Sequence, residues 1–134
     1  MTQKEAVQIL AILKAAYPAS YNGMTKEEAS GTVTIWAMQF EYMPVDIVMM
    51  AVHKIISTNR FPPTVAEVKD KIKSIHWEAY EAISGANQRA MSDMERKQLQ
   101  RIYELTSDYK YGKMYEPNVG TMLTGGFLQI GGGS

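Results

Sequence analysis

The sequence predicts an all-α protein, a small helical bundle of about four to five helices with a flexible C-terminal extension. Three observations carry that reading. A Thr or Ser stands three residues before a Glu at Thr2/Glu5, Thr25/Glu28, Thr64/Glu67 and Ser92/Glu95. This is the capping-box pattern, in which hydroxyl and carboxylate satisfy free backbone N–H groups at a helix start. Behind each pair, apolar residues recur three and four apart, as one face of a helix requires. Segments with strand character, finally, are too few to build a sheet-based core.

The first helix spans Gln3 to about Tyr17, with Ala6, Ile9, Leu10, Leu13 and Tyr17 on one stripe. Pro18 ends it, and Tyr21-Asn22-Gly23 is a turn signal. The second helix opens at Thr25 and carries Val33, Trp36, Ala37 and Phe40. Two features oppose it. Gly31 costs about 1 kcal/mol relative to Ala unless close packing needs it. Thr32-Val33-Thr34-Ile35 is β-branched throughout. Pro44 suits the first turn of a third helix running to about Ser57, with Val48, Ala51, Val52, Ile55 and Ile56 on a wide apolar face.

Next comes a corner, Phe61-Pro62-Pro63-Thr64-Val65-Ala66-Glu67. The two prolines stop one helix, and the Thr64/Glu67 pair starts another within a few residues. Phe61, Pro62, Pro63, Thr64 and Glu67 are therefore read as a structural corner that sets the angle between two helices. The fourth long helix runs from Val65 toward Ile83, with Val68, Ile72, Ile75, Ala79 and Ile83 on its buried side. Trp77 and Tyr80 fall on another face. Gly85-Ala86-Asn87 reads as a C-cap and linker. A fifth, charged helix from Ser92 to about Leu105, with Leu99, Ile102 and Tyr103 as its short stripe, is expected to be able to sit apart from the core.

The tail changes character. Tyr109-Lys110-Tyr111-Gly112-Lys113-Met114-Tyr115 mixes aromatic and basic residues, and Met122-Leu123-Thr124-Gly125-Gly126-Phe127-Leu128-Gln129-Ile130 sets apolar residues among glycines. Glycine at this density holds no regular element alone. A purely solvating tail would lack the apolar side chains. The combination reads as a segment that docks on a partner. The chain thus divides into a helical domain (1–84), a linker with an additional helix (85–107) and a flexible Gly-rich tail with apolar anchors (108–134).

Composition excludes more than it suggests. In 134 residues, 14 Lys and Arg balance 14 Asp and Glu, which gives no whole-molecule steering toward nucleic acid. The second half is mildly basic. No cysteine is present, which removes disulfides, zinc–cysteine sites and thiol catalysis, and fits a reducing compartment. No apolar run approaches membrane-spanning length. The reading is a soluble intracellular protein.

No chemistry-bearing motif stands out. The phosphate-cradling Gly-x-x-x-x-Gly-Lys-Ser/Thr and dinucleotide patterns are absent, so no ATP site or cofactor is expected. The two histidines, His53 and His76, lack a second ligand one turn away and read as partly exposed helix residues. Trp36, Phe40, Trp77 and Tyr80 read as packing residues rather than a ligand cage. Met38, Met43, Met49 and Met50 surround the turn between the second and third helices and read as core filling. Neither a catalytic nor a metal site is assigned.

The opening Thr2-Gln3-Lys4-Glu5-Ala6, the stripe down to Ala15-Ala16-Tyr17-Pro18, Trp36 and Phe40, Pro44-Val45-Asp46 and Phe61-Pro62-Pro63-Thr64-Val65-Ala66-Glu67-Val68 together resemble phage helicase loader/inhibitor proteins, over roughly residues 2–75. The resemblance implies an all-helical N-terminal domain and a flexible C-terminal region that contributes to helicase contact. It implies a non-enzymatic DNA replication protein in the cytoplasm of a bacterial host cell. Such a protein binds the replicative DnaB-type hexameric helicase, holds it inactive and loads it at an origin marked by an origin-binding initiator, a second candidate partner. On that basis Tyr111, Tyr115, Met122, Leu123, Phe127, Leu128 and Ile130 become candidates for helicase contact, by position and character. Direct DNA binding is expected to be weak or absent. The alternatives are a helical DNA-binding, initiator-like module and a phage assembly adaptor.

Overall fold

Each hydroxyl/glutamate pair opens a helix. The Thr2 hydroxyl accepts from the Glu5 amide at 3.1 Å while the Thr2 amide donates to Glu5 Oε1 at 2.8 Å. The same reciprocal bonds form at Thr25/Glu28, Thr64/Glu67 and Ser92/Glu95. The structure, a computed structural model, describes residues 1–85 and 91–111, with side chains described to residue 107. Six helices follow in order: α1 (Gln3–Ala16), α2 (Pro18–Tyr21), α3 (Lys26–Gln39), α4 (Val45–Ile56), α5 (Val65–Ser84) and α6 (Asp93–Tyr111). Among the described residues there is no strand.

The helix beyond the expected five is α2. Pro18 follows the end of α1 but begins a single turn at once, because proline's fixed φ and missing N–H suit a first helical position. Gly23, at φ +82°, then makes the reversal into α3. Pro44 is displaced by one position from its expected place: it is the N-cap of α4, with extended backbone, and not its first helical residue.

The strand-like run Thr32–Ile35 is helical throughout α3. The capped start and the stripe of Val33, Trp36 and Phe40 outweigh its β-branching, and Phe40 is wholly buried. Gly31 serves no packing purpose: a methyl group there would meet nothing within 4 Å. Gly31→Ala is therefore expected to stabilise the protein by about 0.5–1 kcal/mol, read as a later urea midpoint, because alanine loses less backbone entropy in a helix.

α1 packs on α3, α4 packs on α5 and touches α1, and α5 runs alongside α6. Their shared core holds the expected α1 and α3 stripes together with Met43, Ile47, Val48, Ala51, Val52, Val68 and Ile72. Two polar ties fix distant segments. The Met1 amine donates to the carbonyls of Phe40 and Met43, both at 2.9 Å, and the Tyr17 hydroxyl donates to the Asn59 carbonyl at 3.1 Å. Of the four methionines expected to fill the core, Met43 is buried and Met49 and Met50 pack against it. Met38 departs from that expectation and stands exposed on α3.

Two expectations are corrected at the α5–α6 seam. The charged last helix does not sit apart: Ile102 and Leu105 pack on the core, and Arg101 reaches Asp46 at 3.0 Å. His76 is not exposed but 1% accessible, stacked on Tyr103 with ring centroids 4.9 Å apart. Its Nδ1 lies 3.0 Å from Thr106 Oγ1. The Thr106 hydroxyl already donates to the Ile102 carbonyl at 2.7 Å, so the histidine ring donates and the hydroxyl accepts. Thr106→Val is expected to cost about 1–3 kcal/mol by stranding a buried polar group, with Thr106→Ser close to the parent in thermal melting.

Candidate functional site

The corner sits between α4 and α5. Ser57 and Asn59 amides close α4 onto the His53 and Ile55 carbonyls, Pro63 is buried, and Thr64 caps α5. Pro62 is half-buried, but Phe61 is 71% exposed. The turn is thus held by Pro63 and the Thr64/Glu67 box, while the Phe61 ring stands in solvent. Thr64→Ala is expected to lower stability by about 1 kcal/mol in denaturant unfolding and to leave partner binding unchanged.

Two surfaces of the helical body expose apolar side chains. One is aromatic. Trp77 and Tyr80, at 41% and 45% exposure, stand edge to face with centroids 5.8 Å apart, and Tyr80 meets Tyr103 of α6 at 5.8 Å. Trp36 pairs instead with Phe40, at 5.6 Å, in the α3 region of the core. The other surface is a groove of about 570 Å³ between α1 and α3. Val7, Leu10, Ala11, Ala29 and Val33 line it, with Lys4 and Lys14 on the α1 side. Sequence reasoning missed this groove. Its available signal was Val7, an apolar residue off the main stripe of α1, flanked at three and four residues by Lys4 and Ala11.

One cation near the corner is fixed. Lys69 donates to Gln39 Oε1 at 2.6 Å, joining α5 to the end of α3, and burial holds its ammonium below the usual lysine value. Burial, with the neighbouring Tyr17 second, raises the Tyr21 phenol above its usual value. Among the described residues no group of three His, Asp or Glu side chains is placed to hold a metal ion, and no helix is long and apolar enough to cross a membrane.

Of the residues singled out for helicase contact, Tyr111 is the last of α6, its side chain outside the described set. Tyr115, Met122, Leu123, Phe127, Leu128 and Ile130 lie outside the described residues.

The family model for the N-terminal domain of the phage gene 39 protein matches residues 1–69. That stretch takes in α1 to α4, the corner and the first turn of α5, and so includes the whole α1–α3 groove. No curated protein and no solved structure matches the chain. With half of its length inside the match, this chain belongs to the gene 39 protein family, that of phage loader/inhibitors of the DnaB-type helicase.

Proposed function

We propose that this protein binds the replicative DnaB-type hexameric helicase in the cytoplasm of the bacterial host, holds it inactive and delivers it to an origin, hydrolysing no ATP itself. The family match over residues 1–69 carries the reading. A loader of this kind acts through differential affinity: it binds one conformation of the helicase more tightly than another and so shifts the population between them. A shift from mostly active to mostly inactive helicase requires several kcal/mol of such preference, so an extended contact is needed.

Two linked contacts supply it. The helical domain (1–84) is one, and the tail (108–134) is the other, with residues 85–107 joining them. In this scheme Met122, Leu123, Phe127, Leu128 and Ile130 anchor the tail in the helicase, and Tyr111 and Tyr115 flank the anchor. Joining the contacts in one chain raises the effective concentration of the second once the first is made. The helical domain also meets the origin-binding initiator, and the corner at Phe61–Glu67 serves as scaffold. No direct contact with DNA is required.

The test is ATP turnover by the cognate helicase, titrated with the full-length chain. Turnover falls to a plateau at a fixed protein-to-hexamer ratio, and the chain alone releases no phosphate. Unchanged helicase turnover at saturating protein overturns the proposal.

A further inference from the structure

The groove between α1 and α3 has a definite chemistry. Its floor is apolar and shallow, because α3 presents the small residues Ala29 and Ser30 where larger ones would close it. Lys4, Val7, Ala11 and Lys14 lie within one face of α1, since steps of three, four and three residues return nearly to the same angle. The two lysines are separated by nearly three turns, about 15 Å along the axis. Both are exposed, and no carboxylate lines the groove. A cation thus stands near each end of an apolar trough between two packed helices, the setting in which a third helix lays its apolar face.

We infer that the α1–α3 groove is a docking site for an amphipathic helix of a partner protein that carries acidic residues beside its apolar stripe. The length of the groove fixes more of the partner's sequence. Carboxylates ten or eleven residues apart lie about three turns apart on one side of a helix, and so align with Lys4 and Lys14. Between them the partner offers medium-sized apolar residues three and four apart, which cover Val7 and Ala11. Charge selects the occupant. The apolar segment Met122–Ile130 of this chain contains no acidic residue, so it lacks the groups that Lys4 and Lys14 would recognise. The site is separate from the tail contact proposed above and stands whether or not the tail binds helicase.

The test uses the full-length chain and two fluorescent helical peptides with one apolar stripe in common. One carries Glu at the flanking positions, about ten residues apart, and the other carries Lys there. Anisotropy should show the Glu peptide binding about tenfold more tightly, with an advantage that shrinks as salt rises. In the Lys4→Glu/Lys14→Glu variant the preference should reverse toward the Lys peptide. Val7→Asp should weaken both, whereas Lys54→Glu, exposed on α4, should change neither. Circular dichroism confirms that each variant is folded. Equal affinity for the two peptides, no binding of either, or an unchanged preference in the double variant would overturn the inference. Because no helicase enters the experiment, its outcome is distinct from that of the ATP-turnover test.

Discussion

Phe40→Ala lowers the stability of the bundle by about 3–5 kcal/mol, the loss typical of a buried phenylalanine cut to a methyl group. Phe40 is fully buried at the end of α3 and its ring packs on Trp36. It also stands where chain segments meet: its carbonyl accepts from the Met1 amine and from the Met43 amide that begins the passage to α4. A cavity there loosens α1, α3 and α4 together. Small domains have about 5–15 kcal/mol in total, so the variant should be near the edge of folding. Urea unfolding followed by circular dichroism reads the effect as a midpoint earlier by roughly 1–3 M. Phe61→Ala is the matched control. Its ring is 71% exposed, and the loss should stay within about 0.5 kcal/mol. Equal losses at the two positions would contradict the assignment of Phe40 to the core.

Removing every residue after Tyr111 abolishes helicase capture while leaving the melting of the helices unchanged. The truncation keeps α1 to α6 whole, so a change in binding reports on the removed segment and not on the fold. The expected loss is about a hundredfold or more, the range by which two linked contacts exceed one. Phe127→Ala/Leu128→Ala in the full-length chain should reproduce much of that loss, because large apolar side chains dominate such contacts. Undiminished capture by the truncated protein would remove the tail from the mechanism and leave the helical domain as the sole contact.

The sequence is most readable where interactions are local. A capping box lies within four residues, and all four are visible as Thr or Ser followed by Glu. The α1 stripe and its buried face agree residue by residue, from Ala6 to Tyr17. The prolines are harder to place. Pro18 opens a helix and Pro44 precedes one, and only the surrounding backbone decides between the two. The fate of His76 is illegible locally. Its partner Thr106 lies 30 residues away on α6, and the docking of α6 depends on Ile102 and Leu105 meeting a core built by other helices. The α1–α3 groove is a relation between two helices, and needs the small side chains of one to face Val7 of the other. Nothing in the spacing of either helix alone records it.

Capture of a hexameric helicase is what the proposed function requires of this chain, and it can be weighed as mass. The full-length chain is mixed with the cognate helicase, passed over a sizing column and followed by light scattering. The expected result is a single species heavier than the hexamer by a whole number of 15.0 kDa chains, and the helicase mass unchanged when the chain ends at Tyr111. Two separate peaks at the masses of the free proteins, with the full-length chain in excess, would contradict it.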